Sequence, residues 1–177
     1  QPNPIYAAFD QQFQQDLVAS PVQVIDSILL EENPFAGASS EQEASLVEGL
    51  LRYVVLYISA LSELDSAITS CESPQGEAGS MNMLWDGGAA FLIGSMEGTE
   101  VGGQNGGMLL YGLANEMCDD WAMCEPNNAI VNGVLLQALK FGSDQLAQGK
   151  CDNARTTLED TIRPALLVPL TQGLLPY

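Results

Sequence analysis

One apolar stripe constrains the fold more than any other feature of this chain. Val47, Leu50, Leu51, Val54, Tyr57, Ile58, Leu61, Leu64 and Ile68 recur at three- and four-residue spacing. That is the period of one helix face, sustained over six turns. The middle of the run, YVVLYI, is apolar nearly all round, which suits a helix placed centrally in a bundle. Ser40-Glu41-Gln42-Glu43 ahead of it reads as a capping box, and the helix is expected to end near Cys71.

The flanking segments repeat the helical period. Tyr6, Phe9, Phe13 and Leu17 suggest a short amphipathic helix after an extended arm, residues 1–5. Ser20-Pro21-Val22-Gln23 opens a second helix that stops before Asn33-Pro34. Met81–Met96 and Met108–Met123 read as a helical hairpin around the glycine-rich loop 98–107. Gly87, Gly88 and Gly94 each weaken the first of these helices, so they are expected where it packs very closely on a neighbour. Asn127 or Asn128 should cap a helix running to about Gly149. Asp152 should cap the last one, kinked or segmented by Pro164 and Pro169. No strand-like alternation is visible. The expected fold is all-α: an antiparallel helical bundle with short N-terminal helices and a Gly-rich hairpin. It forms one domain over 1–177, with an arm at 1–9 and an apolar tail at 170–177.

Charge narrows the partners. Five Lys and Arg face 23 Asp and Glu, a net charge of −18. No basic stripe exists to displace counterions from phosphates, which excludes nucleic acid and anionic lipid surfaces. Without histidine there is no Ser-His-Asp chemistry and no imidazole metal site. No apolar run reaches the ~18 residues that span a bilayer. The four cysteines, 71, 118, 124 and 151, include no CxxC and read as a disulfide framework. Cys118–Cys124 is the preferred local pair across a helix end, and Cys71–Cys151 then joins the ends of two long helices. A start at Gln1 without a leader reads as a mature secreted product, extracellular or on the cell surface.

Few groups offer chemistry. Asp86, at the start of one hairpin helix, and Glu97 and Glu100, beyond its other end, are candidate metal ligands of the hard, all-oxygen kind, for Fe³⁺ or Ca²⁺. Asp86 stands roughly 16 Å from Glu97 along a helix, so the three share an ion only if the chain bends back. Glu116, Asp119 and Asp120 gather near Cys118 without forming a calcium-loop motif. Glu63 and Asp65 read as part of a solvated face. The methionines of the hairpin read as core filler.

Trp85-Asp86, Phe91 to Gly98, Leu109-Leu110-Tyr111, Leu113-Ala114-Asn115, Cys118 and Cys124 carry a resemblance. Over roughly residues 50–125 the chain resembles the secreted, low-iron-inducible iron-assimilation proteins of algae. The resemblance implies a secreted helical domain tied to ferric iron acquisition, with Asp86 and Glu97 as candidate ligands. It departs at Glu116-Met117, where that family tends to be basic. Two functions are therefore expected. The first is a non-catalytic extracellular structural or interaction protein that associates with copies of itself. Its terminal apolar residues Ile5, Tyr6, Phe9, Leu174, Leu175 and Tyr177 would supply the contacts. The second is an extracellular ferric-iron-binding domain.

Overall fold

The computed structural model describes residues 21–32, 36–73, 78–94, 109–126 and 128–174. The N-terminal arm with Ile5, Tyr6 and Phe9, the loop with Glu97 and Glu100, and Leu175 and Tyr177 lie outside them. Helix α1 spans Pro21–Leu29 and ends where Glu31 takes φ 52°. Helix α2, Ser40–Leu51, starts one residue earlier than its box suggested: Ser39 is the N-cap. Its hydroxyl accepts from the Gln42 N–H, while the Gln42 side chain accepts from the Ser39 N–H at 2.9 Å. Both serines fit the motif, Ser39 with Gln42 and Ser40 with Glu43 three residues on, and the box forms at Ser39.

The long apolar stripe is one continuous helical rod with a change of winding inside it. A π-helical stretch, Arg52–Tyr57, joins α2 to α3, Ile58–Glu72. The two halves differ in burial. Ile58, Ala60, Leu61, Leu64, Ala67 and Ile68 of α3 are buried, whereas α2 buries no residue. Among the described side chains, the buried part of the stripe lies in its second half.

Helix α4, Ala78–Ile93, runs back along α3 in the most extensive helix contact of the molecule. Gly88 makes this possible. A Cβ there would stand 2.6 Å from Leu64 Cγ and 3.0 Å from the Ala60 carbonyl oxygen. Gly87 is looser, with Glu63 Oε2 at 3.7 Å. Gly94 does not serve packing as expected. It terminates α4 at φ 61°, its N–H bonded to the Ala90 carbonyl at 2.9 Å. This is the left-handed cap that glycine adopts without steric cost.

The second hairpin helix, α5, is shorter than its apolar pattern, spanning Leu110–Met117. Turns follow it, with Ala122 at φ 53°. A two-residue antiparallel ladder then pairs β1, Cys124–Glu125, with β2, Asn128–Ala129. The sequence shows no alternation there because two residues are too few to display a period. Asn128 therefore lies in β2 rather than capping, and Ala129 is the N-cap of α6, Ile130–Ala147. Gly149, at φ 68°, closes that end. Helix α7, Cys151–Thr157, is capped by Lys150, with Asp152 in its first turn. A second π-helical stretch, Leu158–Ile162, leads into α8, Arg163–Leu174. Its wider turn sits just before Pro164, whose ring would crowd the carbonyl four residues earlier in α geometry. Pro169 lies inside α8. The core gathers Leu61, Leu64, Ile68, Trp85, Leu92, Leu110, Leu146, Leu158, Ile162 and Leu166, so α3, α4, α5, α6 and α8 all contribute. The fold is an all-α bundle.

Candidate functional site

The C-terminal helices are fastened to α3 at three levels. At the far end, Cys71 and Cys151 form a disulfide, Cα atoms 5.7 Å apart. One residue on, the Arg155 guanidinium grips Glu72 through Nε and Nη2 at 2.8–2.9 Å. That hydrogen bond, more than any other influence, raises the Arg155 pKa. Two turns back, Arg163 Nη2 donates to Asp65 at 2.6 Å, and its Nε lies 3.0 Å from Glu159. Burial raises the Asp65 pKa; the charge and hydrogen bond of Arg163 oppose it without cancelling it. Asp65 is therefore not part of a purely solvated face. The overlooked signal was on the opposite helices, where two of the chain's five bases fall at 155 and 163.

The second disulfide, Cys118–Cys124, closes the turn after α5, Cα atoms 5.0 Å apart. Both bridges are the pairs that spacing singled out. Beneath this turn lies a polar knot. Asn132, 1 % exposed, directs its amide nitrogen at the Tyr111 carbonyl and Asn115 Oδ1, both 2.9 Å away, and at Asn128 Oδ1 at 3.1 Å. Asn115 Oδ1 also accepts from the Ala129 N–H at 2.8 Å. Burial raises the Tyr111 pKa, against a hydrogen bond with Asn128 that lowers it. Asparagines inside apolar helical patterns at 115 and 132 were the available signal. The knot ties α5, the small ladder and α6 together, and its groups are spent on one another.

Of the candidate metal ligands, only Asp86 lies among the described residues. Asp86 is exposed in the interior of α4, not at its start, because the helix begins at Ala78. Cys118, Asp119 and Cys124 bring possible ligand atoms within 4.8 Å of one another, but both sulfurs are in the disulfide and neither is a thiolate. Each described cation has an internal acceptor. Arg52 pairs with Glu48, Lys140 with Asp144, Arg155 with Glu72 and Arg163 with Asp65, while Lys150 donates to Gln148.

Large apolar side chains also stand at the surface. Val22, Leu29 and Leu30 of the first helix and its end are 59–67 % exposed, and Met83 is 77 % exposed. Ile130, Val134 and Phe141 stand out along α6, and Trp121 from the disulfide-closed turn. No described helix is long and apolar enough to cross a membrane. Compared with protein-family models, curated proteins and solved structures, the chain has no match.

Proposed function

We propose that this protein is a non-catalytic extracellular structural or interaction protein that associates with copies of itself, its terminal apolar segments among the contacts. The observation that carries this reading is the pairing of a twice-bridged core with large apolar side chains left in solvent. Exposed groups of this kind favour burial against a partner. The disulfides support an oxidising, extracytoplasmic setting. The absence of histidine from the sequence removes the usual base for neutral-pH catalysis. The ferric-iron reading rests on the resemblance, with Asp86 as its only candidate ligand among the described residues.

The experiment is a comparison of the full chain with a chain lacking residues 1–9. Mass is measured by light scattering across concentration, in buffer alone and with added Ca²⁺ or Fe³⁺. Concentration-dependent growth in mass that is lost on truncation supports the proposal. A full chain that stays monomeric while binding one Fe³⁺ tightly overturns it in favour of iron binding.

A further inference from the structure

The exposed face of α6 presents a pattern that matches itself. Ile130, Val134, Gln137 and Phe141 are all exposed. At 100° per residue they fall on one narrow stripe, about 16 Å long from Ile130 to Phe141. The inward face of the same helix carries Asn132, Leu135, Leu139, Gly142 and Leu146 into the core. The stripe is therefore rigidly held.

Charge selects what can cover it. Two molecules at −18 repel, so they can meet only where acids are sparse. Residues 126–143 are the longest stretch of the sequence without an acid. The next acid, Asp144, is paired with Lys140 at 3.1 Å. From Ile130 to Phe141 the outer face of α6 therefore contributes no acid of its own on a strongly anionic molecule. A basic partner finds no carboxylate on this stripe to pair with, whereas a second copy meets none on it to repel its own.

The last turns of α8 lead to the same place. Gln172, near the close of α8, donates to Met123 Sδ at 3.3 Å. The Met123 carbonyl accepts from the Ile130 N–H at 2.9 Å. Gln172 therefore lies close to the Ile130 end of the stripe, on the turn that also carries Trp121.

We propose that the stripe Ile130–Val134–Gln137–Phe141 is a homotypic interface, on which α6 of a second copy packs antiparallel about a two-fold axis. An axis passing between Leu135 and Leu136 sets Ile130 of one copy opposite Phe141 of the other, and Val134 opposite Gln137. A two-fold contact uses one patch twice, so a self-complementary stripe is what it requires. The antiparallel arrangement also sets the helix dipoles head to tail. The stripe alone is smaller than the ~800 Å² per partner of a stable dimer. The contact is therefore a weak, concentration-dependent one. The inference rests on the self-association reading and places its contact.

The test uses the full chain and the double variant Val134→Glu/Phe141→Glu. Both sites are already about half exposed, so circular dichroism should show unchanged helix content. Sedimentation equilibrium is run over a wide concentration range with about 0.5 M NaCl to screen repulsion. The expected result is a self-associating native chain and a variant that associates at least about tenfold more weakly. If the native chain associates and the variant associates equally well, the α6 interface is overturned while self-association stands. If the native chain stays monomeric throughout, both fall.

Discussion

The indole of Trp85 occupies the space that a side chain at position 142 would need. A Cβ on Gly142 would lie 2.6 Å from Trp85 Cη2 and 3.0 Å from Cε2. The indole N–H donates to the Leu139 carbonyl, one turn away on α6, at 2.8 Å. Trp85 is 1 % exposed, so the contact lies at the centre of the core. It joins the α3–α4 pair to α6 and so fixes how the outer face of α6 is presented.

The Trp85–Gly142 contact sets opposite demands on one residue. Alanine is the better helix former by about 1 kcal/mol. Overpacking a filled core costs about 1–3 kcal/mol. With the indole pinned by its hydrogen bond, the steric cost should prevail. Gly142→Ala is expected to lower the melting temperature, and Gly142→Val to lower it further. A melting temperature for Gly142→Ala equal to or above that of the native chain would contradict the close contact.

The two disulfides should differ in worth. Cys71–Cys151 closes a separation of 80 residues, Cys118–Cys124 one of 6. Loop-closure entropy gives about 4.5 kcal/mol for the first and about 2 kcal/mol for the second. Replacing Cys71 and Cys151 by alanine should therefore destabilise more than replacing Cys118 and Cys124. Glu72 and Arg155 remain beside the severed long bridge and keep the helix ends in register, so far-UV circular dichroism should stay helical. Chemical denaturation of the two double variants decides the order; equal losses, or the reverse order, would defeat the argument.

Asp65 should make stability fall as pH rises through its titration. Burial raises its folded pKa above the ordinary value of 3.8. The folded state then holds the proton more tightly than the unfolded state. Its contribution is present in full below the unfolded pKa and is lost as pH climbs through the folded one. This runs against the usual carboxylate trend. Asp65→Asn should flatten that part of the stability–pH curve. Arg163→Met removes the opposing charge, so it should raise the Asp65 pKa further and extend the window upward. Carboxyl NMR titration of native and Arg163→Met protein reads this directly; an unmoved or lowered Asp65 pKa would refute it.

Helices were legible because their period extends over many residues. Val47 to Ile68 spans enough turns for the face to be read, and the α3 core face follows it. Interruptions were legible only where a proline marks them, as Pro164 does just after the π stretch Leu158–Ile162. The π stretch at Arg52–Tyr57 changes winding without such a mark. Gly88 and Gly94 look alike in sequence. One admits Leu64 and the other ends α4, and only the neighbours and φ distinguish them. Cysteine pairing was an expectation and not a reading: the short loop favours Cys118–Cys124, and Cys71–Cys151 follows only as the remaining pair. The Asp65–Arg163 contact was not legible, its partners being 98 positions apart.

Asn132 should be the least replaceable polar residue of the molecule. It is buried between α5 and α6, and its amide serves the Tyr111 carbonyl and the side chains of Asn115 and Asn128. Leucine at this site has similar volume and no donor. Asn132→Leu would leave the acceptors it served without that donor, and one buried unsatisfied group costs about 1–3 kcal/mol. Asn115 would keep its bond from the Ala129 N–H, so the damage should spread through the ladder and not through the whole bundle. The expected result is a loss of about 2–3 kcal/mol in denaturant unfolding. Amide exchange should accelerate at Ala129 and Ile130 before the α3–α4 core is affected. Asn128→Ala, which removes only the longest of the three contacts, should cost less. Stability of Asn132→Leu equal to that of the native chain, with Ala129 exchange unchanged, would mean that the knot does not hold the turn.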